Sequence, residues 1–147
     1  MTGRIRFSPR PLMELKGVVS SIVEGAVNGV VTIDPGETAV KADITMEAIK
    51  ELGLKEGATA YAIIKASNVM FAAGSERIAG ISARNQLAGT VEAVSKGAVN
   101  GHVTLRLADG NTIKGSITNE AIDELGLVEG AAALAIVKST DVIVGVE

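Results

Sequence analysis

The feature that most constrains this chain is that it is written twice. Gly17 to Ile33 aligns with Gly89 to Leu105, and nine of those 17 positions are identical, including the block GAVNG. Ile44 to Ala72 aligns with Ile117 to Gly145, with 17 of 29 positions identical. The offset is 72 in the first block and 73 in the second, so one residue was gained or lost in the loop between them. A tandem duplication fixes the fold unit at about seventy residues and sets two domains, 1–76 and 77–147, with a seam near Ala73–Arg77. So small a unit buries a modest share of its surface, and what it leaves bare must be covered by the other half or by further chains.

Each half reads mainly as strand. Val18, Val19, Ile22 and Val23 open the first, and Thr90, Val91, Ala93 and Val94 the second. Val30 to Ile33 and Val103 to Leu107 follow Asn-Gly pairs, a strong turn signal. Asp34-Pro35-Gly36 and Asp109-Gly110-Asn111 mark the next turns. One short helix then follows in each half, with Thr45 and Thr118 as N-caps, Glu47 and Glu120 in the first turn, and Gly53 and Gly126 as terminators. Thr59 to Lys65 with Val69 to Ala72, and Ala132 to Lys138 with Val142 to Val146, close the two units. Five short strands with a helix before the fourth predict a mainly β fold of two tandem OB-like barrels.

Composition narrows the function. The chain has one Tyr, two Phe and no Trp, which leaves little to stack bases on and counts against an OB-type nucleic-acid module. Fourteen basic against 17 acidic residues give a net charge of −3, without a basic run to follow a phosphate backbone. The absence of Cys and the single His102 argue against a thiolate or imidazole metal centre. His102 reads as a solvent-facing or interface strand residue. No catalytic constellation is visible, so a non-enzyme is expected. The N-terminus has charge but no apolar segment behind it, and no stretch suits a membrane helix. A soluble cytoplasmic protein with no membrane and no nucleic-acid partner is the expectation.

What recurs instead is a set of hydrogen-bond donors. Thr45 and Thr118 place hydroxyls at helix starts. Lys65 and Lys138 end strands and are followed by Ala66-Ser67 and Ser139-Thr140. Ser82-Ala83-Arg84-Asn85 adds a hydroxyl, a guanidinium and an amide. Such a lining suits a tetrahedral dianion that carries no proton of its own. Taken singly, each element is ordinary: a lysine at a strand end is commonly solvated, and a threonine before a helix is commonly a cap.

The order Ser82-Ala83-Arg84-Asn85-Gln86-Leu87, Gly89-Thr90-Val91 and Gly97-Ala98-Val99-Asn100 resembles the Mop domain of molybdate-binding proteins. The stretches Ile117-Thr118-x-Glu120-Ala121 and Ile136-Val137-Lys138-Ser139-x-x-Val142 continue the likeness. It covers residues 81 to 146 and, through the repeat, about 15 to 72. Two such units resemble the tandem, ModG-type Mop proteins, cytoplasmic binders of molybdate or tungstate in storage and homeostasis. The resemblance implies an OB-like barrel, a homotrimer and oxyanions held between Mop units, with no organic cofactor. It further implies ligand groups at Ser82, Ala83, Arg84, Thr118, Lys138 and Ser139, with Thr45, Lys65, Ala66 and Ser67 as the first-half counterpart. Gly25, Ala26, Val27 and Asn28, with Gly97, Ala98, Val99 and Asn100, would offer backbone donors to a second class of site, or serve merely as turns. Partners would be further copies, and proteins of molybdenum-cofactor assembly or transport.

One departure stands out. The first half has no Ser-Ala-Arg-Asn. A two-residue insertion restores Ser8 and Arg10, but Pro9 lacks a backbone donor and Pro11 replaces the asparagine. A site built there is altered or lost. A sensor acting through a protein partner is the rival within the family. Regulators and transporter ATPases that carry Mop units also carry a DNA-binding or nucleotide-binding domain, for which this chain shows no motif.

Overall fold

The computed structural model describes residues 12–36 and 38–147; Ser8 and Arg10 lie outside them. Its strands are β1 (Leu12–Glu24), β2 (Asn28–Asp34), β3 (Val40–Thr45), β4 (Thr59–Lys65), β5 (Met70–Ala73), β6 (Asn85–Lys96), β7 (Asn100–Leu107), β8 (Thr112–Thr118), β9 (Ala132–Val137) and β10 (Ile143–Gly145). Helix α1 (Met46–Glu51) follows β3 and helix α2 (Asn119–Leu125) follows β8. Single 3-10 turns at Ala66–Asn68 and Ser139–Asp141 precede β5 and β10. The expectation of two OB-like five-stranded units, each with one short helix, holds.

The strands form two sheets, ordered β10-β4-β1-β2-β3 and β5-β9-β6-β7-β8. Both follow the OB order 5-4-1-2-3, but the fifth strand of each comes from the other repeat. β5 pairs with β9, not β4, through Met70↔Ile136 to Ala73↔Ala133. β10 pairs with β4 through Ile143↔Ile63, Val144↔Ala62 and Gly145↔Tyr61. Compact packing therefore groups residues 1–64 with 139–147, and 65–138 by themselves. The sequence reading, which closed each repeat with its own last strand, is corrected on this point. The physical reason is the duplication: Val-Met-Phe-Ala and Val-Ile-Val-Gly offer equivalent ladders to equivalent edges, and exchange of identical elements is cheap.

Within the first unit the core is aliphatic. Val19, Val31, Ile33, Val40, Ala60, Ile63 and Ile64 are buried, and Tyr61 is buried with its hydroxyl donating to Glu147 Oε2 at 2.8 Å. The second unit repeats this with Val91, Val103, Leu105, Ile113, Leu134 and Val137. Alternating burial along β7 shows one face on the core and one on solvent. His102 lies on the solvent side of that strand, as expected.

The Asn-Gly pairs are not turns. Asn28 and Asn100 begin strands, and the reversals lie one step earlier, closed by Gly25 N–H to the Asn28 carbonyl (2.9 Å) and Gly97 N–H to the Asn100 carbonyl (2.8 Å). Glycine is needed at 29 and 101 for room. A Cβ on Gly29 would stand 2.7 Å from Ile49 Cδ1, and one on Gly101 would stand 2.8 Å from Ile122 Cδ1. Each glycine lets its helix seat against β2 or β7. Gly53 (φ +65°) and Gly126 (φ +66°) end the helices in the left-handed conformation, as read from the sequence.

Candidate oxyanion-binding site

The donor set is distributed by strand register. In the second unit Met70, Ile136 and Gln86 lie in one row across β5, β9 and β6. Two residues beyond that row stand Lys138 on the β9 side, Arg84 on the β6 side and Asn68 on the β5 side. Ser82 and Ala83 come just before Arg84, and Lys65, Ala66 and Ser67 lead through the 3-10 turn into β5. Thus strand exchange carries the first repeat's lysine segment into the unit that holds Ser82, Ala83, Arg84 and Lys138. The sequence groups that segment with Thr45 as the first-half counterpart, while allowing a pocket to take its opening segment from one repeat and its lysine segment from the other; the second of these is the grouping within this unit.

The side chains suit an anion. Lys65, Ser67, Ser82, Arg84 and Lys138 are exposed, Ala83 is partly buried, and Ala66 is buried with its backbone in the 3-10 turn. No ion pair among the described residues engages Lys65, Arg84 or Lys138, whereas Lys96 pairs with Asp123 and Arg106 with Glu92. Ser82 to Arg84 are not strand, since β6 begins at the buried Asn85. They lead irregularly into β6 and are tied to it by Gln86, whose amide nitrogen donates to the Ala83 carbonyl at 3.2 Å and to the Ile78 carbonyl at 3.0 Å. Its Oε1 accepts from Ile78 N–H at 2.7 Å. Ser139 belongs to the first unit, where its 3-10 turn packs against β3.

Thr118 and Thr45 are elsewhere. Thr118 pairs with Asn100 at the end of β6 that pairs with Gly101, whereas Asn85 and Val137 meet at the other end. β6 has 12 residues, a contour of about 40 Å at ~3.3 Å per residue. The structure therefore does not bring Thr118 to Lys138 within that unit. Both threonines cap their helices, accepting from Ala48 N–H and Ala121 N–H at 3.1 Å each. Capping uses an oxygen lone pair and leaves the O–H able to donate.

Instead the threonines join the Gly-Ala-Val-Asn tips. Met46 N–H donates to the Val27 carbonyl at 2.7 Å, and Asn119 N–H donates to the Val99 carbonyl at 2.8 Å. The amides of Ala26, Val27, Ala98 and Val99 meet no backbone acceptor among the described residues. Both tips are open, with Val27 72% and Val99 71% exposed. They differ in charge. Asn28 Nδ2 donates to Asp43 Oδ1 at 2.9 Å, and Glu24 precedes Gly25. In the second repeat Ser116 replaces Asp43, and Lys96 replaces Glu24 and pairs with Asp123.

The described residues contain no group of three or more His, Cys, Asp or Glu able to hold a metal ion. No helix is long and apolar enough to cross a membrane.

Comparison with known proteins places this arrangement. The TOBE domain model matches twice, over residues 11–71 and 81–144. The chain belongs to the TOBE-domain family. This TOBE-domain chain is 38% identical over 135 residues to the molybdenum transport protein ModE of Herbaspirillum seropedicae, covering 91% of this chain and 50% of that protein. It is 50% identical over 64 residues to molybdenum-pterin-binding protein 2 of Clostridium pasteurianum, covering 44% of this chain and 94% of that one. A crystal structure of the cytoplasmic molybdate-binding protein ModG, with molybdate bound, matches at a TM-score of 0.87 and 40% identity, covering 97% of this chain and 100% of that one. The chain thus spans about half the length of the ModE relative and the full length of ModG. The resemblance to tandem Mop proteins holds along both repeats.

Proposed function

We propose that this TOBE-domain protein binds molybdate or tungstate reversibly, for storage or homeostasis, without chemical turnover. The observation that carries the reading is the row end of the second unit. Arg84 and Lys138 each come one residue beyond the last β6–β9 pair, Asn85↔Val137, the Lys65–Ser67 segment leads into β5 of the same unit, and no carboxylate among the described residues pairs with these cations. A dianion with four acceptor oxygens and no proton satisfies such donors through charge-assisted bonds. Hydrogen phosphate would bring a proton with nothing to accept it, and sulfate is smaller than the metal oxyanions, so cavity size completes the selection. The likeness to molybdate-bound ModG supports the same reading.

The side-chain donors of Lys65, Ser67, Ser82, Arg84 and Lys138 are exposed. Enclosing a tetrahedral ion takes further donors, and we assign these to other copies of the chain in a homotrimer. The Gly-Ala-Val-Asn tips would hold a second class of site, and the cytoplasm would be the compartment. Calorimetric titration with molybdate, tungstate, sulfate and phosphate, with native mass spectrometry of the assembly, tests this. Micromolar binding of molybdate or tungstate by a trimer is expected, with sulfate and phosphate far weaker. No heat with either metal oxyanion would sink the proposal.

A further inference from the structure

The Gln86 side chain makes three hydrogen bonds to the backbone that leads into the site. It accepts from Ile78 N–H at 2.7 Å and donates to the carbonyls of Ile78 at 3.0 Å and Ala83 at 3.2 Å. Both faces of the carboxamide are engaged, and the single donor among the three backbone groups fixes which end is oxygen. Ile78 and Ala83 bracket a loop without regular structure, and Ser82 and Arg84 flank its anchored end. Gln86 itself is locked in the β6–β9 ladder opposite Ile136. We propose that Gln86 is a positioning residue for oxyanion binding: it ties the Ser82–Arg84 approach to the sheet, so that hydroxyl and guanidinium are in place before the ion arrives.

The inference rests on the oxyanion reading above and deepens it. An unanchored loop would have to be ordered when the ion binds, and that ordering weakens affinity. The matching position of the first repeat is Glu14, whose carboxylate has no N–H to give. Gln86 thus adds a second difference between the repeats, beyond the loss of Ser-Ala-Arg-Asn.

Two variants of the full chain test it, Gln86→Met and Gln86→Glu. The first keeps the length and removes all three bonds; the second keeps the acceptor and turns a charge toward two carbonyls. Amide hydrogen exchange reads the clamp, and loss of protection at Ile78 N–H is expected in Gln86→Met. Molybdate titration reads its use, with Kd rising about tenfold, the scale seen when a group that orients ligating residues is lost. In an Arg84→Ala, Ser82→Ala background the same change should add little, because its effect passes through those groups. An equal loss in both backgrounds would show general damage and overturn the proposal. So would unchanged affinity in a variant whose Ile78 amide has become unprotected, or unchanged protection at Ile78. Absence of molybdate binding by the unmodified chain would overturn the functional reading and the positioning role with it, and is recognised because it precedes any substitution.

Discussion

Replacing Lys138 with alanine removes one charge-assisted donor from the row end and leaves the buried β9 ladder untouched. Such bonds contribute about 1.5–3 kcal/mol, so molybdate affinity should fall by ten- to a hundredfold with the unfolding midpoint unmoved; calorimetry and urea denaturation read the two. Lys65→Ala should weaken the same site, because strand exchange brings its segment there, and unchanged affinity in both variants would remove the assignment. Thr118→Ala is a different case. Its hydroxyl oxygen caps α2 through Ala121 N–H, so about 1 kcal/mol of stability should be lost in urea whether or not anion is present. At the tips, Asp43→Ser copies the second repeat and removes a carboxylate beside Asn28. Oxyanion binding at the first tip should tighten several-fold, as a change in titration stoichiometry or affinity.

At the scale of elements, the helices and hairpins depend on close approach. Gly101→Ala would place a methyl 2.8 Å from Ile122 Cδ1 and 2.9 Å from Ser95 O, so α2 must lift from β7. A loss of about 1–3 kcal/mol in chemical denaturation is expected. The Asn-Gly pairs show why local signals mislead here. Asn-Gly favours reversals in general, but here the pairs lie in strands, and Gly29 and Gly101 are glycine because a helix side chain fills the Cβ volume, a fact of packing between segments seventeen or more residues apart. Helix placement was legible, since Thr45, Thr118, Gly53 and Gly126 act within a single turn. Ser82, Arg84 and Lys138 were legible as a chemical set, because donor type is written in each residue. Thr118 stands at the other end of the strands from them within the unit, a separation set by register along β6, β7 and β8 that no local pattern writes.

For the whole molecule, the decisive uncertainty at the level of sequence was which edge each closing strand would take. Residues 69–72 and 142–145 satisfy either edge, so no pattern within one repeat distinguishes self-closure from exchange. Phe71 shows the observed choice: a Cβ on Gly115 of β8 would collide with its ring, which makes Gly115 the space that the first repeat's strand occupies. Ending the chain after Lys138 tests the arrangement. β10 would be missing, the β4 amides at residues 61–63 should lose hydrogen-exchange protection, and β9, still paired with β5 and β6, should keep it. An oligonucleotide titration at low salt should give no binding, as the acidic charge and the shortage of aromatics require.

The reciprocal lending of β5 and β10 also determines how this chain responds to being cut. A nick near Glu76 severs the polypeptide between the repeats, yet each fragment still contributes a strand to the other's sheet. The halves are fastened by two hydrogen-bonded ladders as well as by a peptide link. A protease acting at that junction should leave a particle that runs as two bands under denaturing conditions and as one species in native solution, its two fragments behaving like the subunits of an obligate heterodimer.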